Sequence, residues 1–195
     1  MTAVSLLTLG TRNPHKVKEI ERLLAPARIE ARPLPEGIEL PPEDGRTFAE
    51  NALLKARAAA KGTGGPAIAD DSGIEAQALD GAPGVRSARY AGPGASDEDN
   101  LAKLLAEVPA GDRLRYVCAL AYVDPATGQE HVFTGECWGH LASEPRGRGG
   151  FGYDPAFVPD GEWQGRTMAE LSDAEKDEIS HRGHAVRQLI GWLTR

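Results

Sequence analysis

Apolar positions along the chain fall into short runs that alternate with longer stretches in which they recur every three or four residues. Ala3–Leu9 is a short, largely apolar run of the length of a buried strand. It ends at Gly10-Thr11-Arg12-Asn13-Pro14, where Asn13 supplies an N-cap and Pro14 a first helical residue, so a helix is predicted to about Leu24. Ile29–Leu34 reads as a second strand, and the Pro- and Glu-rich segment from Pro35 to Gly45 as a loop. Thr47-Phe48-Ala49-Glu50 fits a capping box and opens an alanine-rich helix to about Lys61. Phe48, Ala52, Ala56 and Ala59 share its apolar face, while Thr47, Asn51 and Lys55, spaced by four, share another.

Pro66–Ala69 is predicted as a short strand that ends in Asp70-Asp71-Ser72-Gly73. Ser96 caps a helix carrying Leu101, Leu104 and Leu105. Leu114–Val123 and His131–Leu141 are the longest strand signals, and the turn residues Asp124 to Gly128 make them a hairpin. A glycine-rich loop follows from Pro145 to Tyr153. Ser172-Asp173-Ala174-Glu175 is another capping box, and a last helix carries Val186, Leu189, Ile190 and Leu193. Helices mixed with strands, some joined by a turn alone, predict an α/β fold with a mixed sheet, and 195 residues suit one domain over 1–195.

Composition adds exclusions. Apolar and charged contents of 41% and 26% are those of an ordinary globular chain. A net charge of −7 argues against a nucleic-acid polymer as partner, whereas a small polyanion needs only a few local lysines and arginines. Cys118 and Cys137 sit in apolar runs without a CxxC or Cys/His cluster. They predict neither zinc nor a disulfide framework, but two small buried side chains in a reducing compartment. No stretch approaches a membrane span and the N-terminus lacks a signal pattern, so no membrane partner and a cytoplasmic location are expected.

Four segments carry candidate chemistry. Thr11-Arg12-Asn13-Pro14-His15-Lys16 puts a hydroxyl, an amide, a lysine and a helix N-terminus at one spot, as a phosphate chain requires, although the spacing is not that of a Walker A loop. An ordinary cap with a solvated lysine is the competing reading. Asp70-Asp71 places two hard oxygen donors at the end of a strand, suited to Mg²⁺. Neighbours in a strand point to opposite faces, so both acids can reach one site only if the chain turns there, which Gly73 would allow. Glu43 in the acidic loop and Glu50 in the capping box are further metal candidates. In Gly147 to Pro155, glycines let backbone approach a ligand while Phe151 and Tyr153 offer faces for a base. Lys176 and Ser180-His181-Arg182-Gly183 are basic. An arginine facing the six-position of a purine would accept an oxo group and leave adenine's amino group unpaired.

Together these segments resemble the inosine triphosphate pyrophosphatase family. The matching stretches are Thr11 to Lys16, Thr47 to Ala56, Ile68 to Gly73, Gly81 to Tyr90, Gly149 to Pro155 and Ile179 to Gly183, in family order over nearly the whole chain. The resemblance implies a mixed twisted sheet with flanking helices, two lobes around a nucleotide-binding cleft, and a homodimer. It implies hydrolysis of ITP, dITP or XTP to the monophosphate and pyrophosphate with Mg²⁺. By position, Thr11, Arg12, Asn13, Pro14, His15 and Lys16 would bind the triphosphate, with Lys55 offsetting its charge. Asp71 would be the catalytic carboxylate, with Glu43 or Glu50 as further metal ligands. Ser72, Phe151, Gly152, Tyr153, Asp154, Lys176, His181 and Arg182 would contact the nucleotide, the last two beside the base. Two departures stand out: Arg12 where family members often carry glycine, and a shifted acidic pair at Pro42-Glu43-Asp44. A Maf-like pyrophosphatase for modified pyrimidine nucleotides and a nucleotide-binding protein without turnover are the alternatives.

Overall fold

Helix starts are where local chemistry dictates most, and here they follow the capping residues. In the computed structural model, which describes residues 6–161, 163 and 165–195, Asn13 Oδ1 accepts from the N–H groups of His15 (2.9 Å) and Lys16 (3.3 Å) and opens helix α1 (Pro14–Leu24). Thr47, Ser96 and Ser172 form reciprocal capping boxes with Glu50, Asp99 and Glu175, opening α2 (Phe48–Thr63), α3 (Asp97–Glu107) and α4 (Asp173–Ile179). The last helix, α5, spans His181–Leu193.

The strands are β1 (Leu6–Leu9), β2 (Glu30–Pro33), β3 (Ala67–Ala76), β4 (Arg113–Asp124), β5 (Gln129–Leu141) and β6 (Phe157–Pro159). The expected start of the first strand at Ala3 to Ser5 lies outside the described residues. Among the described residues they form one sheet in the order β2-β1-β3-β4-β5-β6. β1 runs parallel to β2 and β3, and β5 antiparallel to β6, so the sheet is mixed, as expected. Residues 125–128 join the neighbours β4 and β5 as the predicted tight connection, and β6 was not foreseen.

One strand differs in a way that matters. β3 does not stop at Ala69; it continues through Asp70, Asp71, Ser72 and Gly73 to Ala76, nearly all of it buried. The predicted turn at Gly73 is absent, because the run Ile68 to Ala76 is covered and keeps its ladder instead of meeting solvent.

The chain divides into two compact units. The first comprises residues 1–71, 118–135 and 182–195, and the second residues 72–117 and 136–181. In the first, α1 (Ile20, Leu24) and α5 (Ala185, Val186, Leu189) bury one face against Leu7, Leu9, Ile68, Leu120 and Tyr122. The opposite face takes α2 at very short range: a Cβ on Gly10 would stand 2.9 Å from Ala69 Cβ and 3.2 Å from the Lys55 carbonyl. Glycine at position 10 is what lets the alanine face of α2 lie so close. In the second unit Ile74, Leu104, Leu114, Tyr116, Tyr153, Phe157 and Met168 form the core. Both cysteines are buried and free. Among the described residues no helix is long and apolar enough to cross a membrane.

Candidate active site

Strand alternation separates the two adjacent acids of β3. Ile68 belongs to the core under α1 and α5, and Asp70, two residues on, shares its face. Asp70 Oδ2 accepts from Arg182 Nη2 (2.8 Å) and Nε (3.1 Å) and lies 3.1 Å from Lys16 Nζ. Arg182 also donates to Glu19 at 2.6 Å. Asp70 and Arg182 are 0% and 1% exposed. Burial alone would raise the Asp70 pKa, but Lys16 and Arg182 overcome it and hold the carboxyl well below the usual range. Asp70 Oδ1 has no hydrogen-bond partner among the described residues.

Asp71 faces the other way, toward α2. Its Oδ2 accepts from Asn51 Nδ2 at 2.8 Å, and its Oδ1 lies 4.0 Å from Lys55 Nζ. The same ammonium donates to Glu43, more closely than to Asp71. The result is two carboxylates of different segments drawn to one buried cation. Burial and the Glu43 charge push the Asp71 carboxyl upward, and Lys55 and Asn51 offset this only in part. Burial lowers the Lys55 ammonium, but Asp70, Glu43 and Asp71 outweigh it and the net shift is upward.

In the N-terminal segment Arg12 stands apart from its neighbours. Thr11 is buried and its Oγ1 accepts from Asn13 N–H at 3.2 Å, while Pro14 and His15 are exposed. The Arg12 guanidinium, expected on phosphate, donates instead to the carbonyls of Leu34 (2.9 Å), Pro35 (3.0 Å) and Ile38 (2.9 Å). It pins the loop after β2, because carbonyls left over at a strand end need donors. Glu50, a metal candidate, is exposed and sends Oε2 back to the N–H groups of Arg46 (2.6 Å) and Thr47 (3.3 Å).

In the second unit Asp154 is the hub. Its Oδ2 accepts from Lys176 Nζ (2.7 Å) and Phe151 N–H (2.9 Å), and its Oδ1 from the Tyr116 hydroxyl (3.1 Å). Lys176 Nζ lies 4.9 Å from the Phe151 ring centroid, a cation–π contact. Gly150 has φ +68°, and a Cβ there would fall 2.0 Å from Asp154 Oδ2, so the loop closes on the hub only with glycine. Gly152 N–H donates to Asp97 at 2.9 Å. His181 is buried and stacks on Tyr116, centroids 4.6 Å apart and planes within 9°. Ser72 is half-buried on β3.

Two residues expected to face the nucleotide have partners within the protein. Tyr153 is buried and its hydroxyl donates to the Ser87 carbonyl at 2.7 Å, so it anchors the loop, while the half-buried Phe151 ring takes Lys176 over its face. Arg182, expected beside the base, is buried and donates to Asp70 and Glu19.

The model of the Ham1 family matches residues 7–192. The chain belongs to that family. It is 52% identical to a dITP/XTP pyrophosphatase of Frankia alni, over 96% of each chain. A dITP/XTP pyrophosphatase of Yersinia pseudotuberculosis is 48% identical, over 96% of this chain and 97% of that one. Among solved structures, a HAM1 protein from Coxiella burnetii superposes with a TM-score of 0.85 at 41% identity, over 97% and 98% of the two chains. A nucleoside-triphosphatase / dITP/XTP pyrophosphatase from Mycobacterium abscessus gives 0.72 at 43% identity, over 94% and 98%. The expected fold class holds across the Ham1 chains.

The sequence reading of this Ham1 chain missed Glu19, Asn51 as the Asp71 partner, and Tyr116. An acid inside an apolar helix face and a tyrosine inside a buried strand were the available signals. Among the described residues no three Asp, Glu, His or Cys side chains converge into a closed metal cage. Asp71 and Glu43 around Lys55 nevertheless fit Mg²⁺, which takes one or two carboxylates and draws its remaining ligands from phosphates and water.

Proposed function

We propose that this chain hydrolyses dITP, ITP and XTP to the monophosphate and pyrophosphate with Mg²⁺. The observation that carries the proposal is the nearly full-length likeness to relatives named dITP/XTP pyrophosphatase, at 48–52% identity. The Asp71–Asn51–Lys55–Glu43 arrangement supports it from the side of the chemistry. Membership of the Ham1 family removes the ground for the Maf-like pyrimidine reading.

The chemical task is attack of water on the α-phosphorus with pyrophosphate leaving, so positioning and charge neutralisation carry most of the rate. Asp71 is assigned the water, with Asn51 fixing its orientation. Bound at Asp71 and Glu43, Mg²⁺ would supply positive charge at the phosphate oxygens. Lys55 sits between those carboxylates and would turn to phosphate when a divalent cation takes its place. Thr11, Asn13, Pro14, His15 and Lys16 form the proposed triphosphate cradle, with Arg12 shaping it from behind through the 34–38 carbonyls. In the second unit Ser72, Phe151, Gly152, Asp154, Lys176 and His181 are assigned to the nucleoside. A homodimer and a cytoplasmic location complete the proposal; sedimentation velocity tests the former.

The deciding experiment assays pyrophosphate and orthophosphate separately, with Mg²⁺, on dITP, XTP, dGTP and dATP. Pyrophosphate from dITP and XTP, with dGTP and dATP nearly untouched, is the expected result. Orthophosphate release overturns the reaction assignment, and nucleotide binding without any turnover favours the binding-only alternative.

A further inference from the structure

Tyr116 touches two of the residues assigned to the nucleoside, yet it contributes no group to the proposed chemistry. It lies on β4, 6% exposed. Its ring lies parallel to the His181 imidazole at 4.6 Å on one contact and against Phe157 at 4.6 Å, tilted 44°, on another. Its hydroxyl donates to Asp154 Oδ1, and Asp154 in turn takes Lys176 and the Phe151 N–H on Oδ2. One buried side chain therefore bears on His181 by its face and on Asp154, Lys176 and Phe151 through its hydroxyl.

The chemistry of base selection gives this arrangement a purpose. Lys176 and His181 are buried basic side chains of the second unit, the first held by Asp154 and the second stacked on Tyr116. Selection of a six-oxo purine over adenine rests on a donor held in a fixed direction, so that the wrong base leaves a polar group unpaired. An imidazole donates in its own plane, and a ring stacked at 9° cannot tilt without losing the contact. A lysine ammonium is a flexible point charge, and Asp154 is what fixes it. Burial and the Asp154 charge push the Tyr116 hydroxyl pKa well up, so it stays a donor to that carboxylate at every working pH.

We propose that Tyr116 is a positioning residue that sets base discrimination, by fixing the His181 plane with its ring and the Asp154–Lys176 pair with its hydroxyl. The proposal rests on the nucleoside assignment made above. It is a claim about selectivity and binding, not about the hydrolytic step.

The test compares the full-length protein with Tyr116→Phe and Tyr116→Leu, and Tyr116→Phe keeps the ring between His181 and Phe157. Pyrophosphate release from dITP and dATP gives kcat and KM, and calorimetry gives dIMP and dAMP binding independently of turnover. Tyr116→Phe is expected to raise KM for dITP and weaken dIMP binding about threefold or more, with kcat within twofold. Tyr116→Leu is expected to raise KM tenfold or more and to narrow the dITP-to-dATP preference by a similar factor. Intermediate behaviour of the phenylalanine variant marks the ring and hydroxyl contributions separately. A variant pair with lowered melting temperatures but unchanged KM, unchanged dIMP binding and unchanged preference overturns the proposal. If the leucine variant does not fold, the phenylalanine variant decides alone on the same readouts. A wild-type protein that releases no pyrophosphate sinks the functional reading instead, and dIMP binding still reports on Tyr116.

Discussion

Two buried acids, Asp71 and Asp154, each stand beside a buried lysine, and their surroundings differ in one respect. Asp154 is saturated: an ammonium, a backbone N–H and a phenol hydroxyl all donate to it, the lysine at 2.7 Å. Asp71 accepts from Asn51 at 2.8 Å, and its lysine stands 4.0 Å away, drawn toward Glu43. A saturated carboxylate is rigid and holds its neighbours in place. A carboxylate whose lysine is shared with a second acid carries a charge that a cation can still meet. The contrast supports the proposed roles: shape for the second unit's acid and chemistry for the first unit's.

The sharpest break of this contrast is Asp71→Asn. It keeps the size and the Asn51 neighbour, so the fold should survive, while pyrophosphate release from dITP should fall by four orders of magnitude or more, above about 5 kcal/mol in the barrier. Near-normal turnover in a folded Asp71→Asn protein would falsify the catalytic assignment. Arg182→Met should act on stability: with Asp70 and Glu19 left buried without their shared guanidinium, urea unfolding should show a loss of about 3–5 kcal/mol. A loss of base preference with unchanged stability would return Arg182 to the base.

Asp154→Asn should unfix Lys176 and cost about 2–3 kcal/mol of dITP recognition, seen as a KM rise of about 30- to 160-fold with kcat much less affected. A kcat collapse at constant KM would mean that the two acids are not so different. Asp70 allows a test by pH. Its folded pKa lies below the unfolded value of about 3.9, so its stabilisation is complete above that value and is lost as pH falls toward the folded one. Acid unfolding followed by circular dichroism should therefore be shallower in Asp70→Asn, by at least about 1.4 kcal/mol over the acid range. The smallest effect is expected for Glu50→Ala: about 1 kcal/mol of stability from the lost capping box, and an unchanged Mg²⁺ dependence of turnover. A shift of that dependence would make Glu50 a metal ligand after all.

What the sequence disclosed follows the range of the forces involved. Asn13, Thr47, Ser96 and Ser172 act on N–H groups two or three residues away, and each helix they announced is present. Six motifs in family order carried the fold class, and Asp71 and Lys55 were chosen by type and then found together. What the sequence did not announce is long-range. Arg182 meets an acid 112 residues away and another 163 residues away, which no local pattern encodes. Ser72-Gly73 has the composition of a turn, and only its cover by the rest of the chain keeps it in a strand. Tyr116 looks like one more large side chain in an apolar run until its hydroxyl partner, 38 residues away, is known.

The continuation of β3 through the acid pair also governs how this gene can change. Substitutions at Asp70 or Asp71 alter one face each, because the faces are kept apart by parity. Loss of a single codon from the preceding Ala67 to Ala69 exchanges the faces, turning the Asp71 carboxylate toward Arg182 and the Asp70 carboxylate toward Asn51 and Lys55. Such a lesion deletes neither acid, yet it delivers each to the other's partners. Length between Pro66 and Asp71 is therefore under tighter constraint than the alanines filling it.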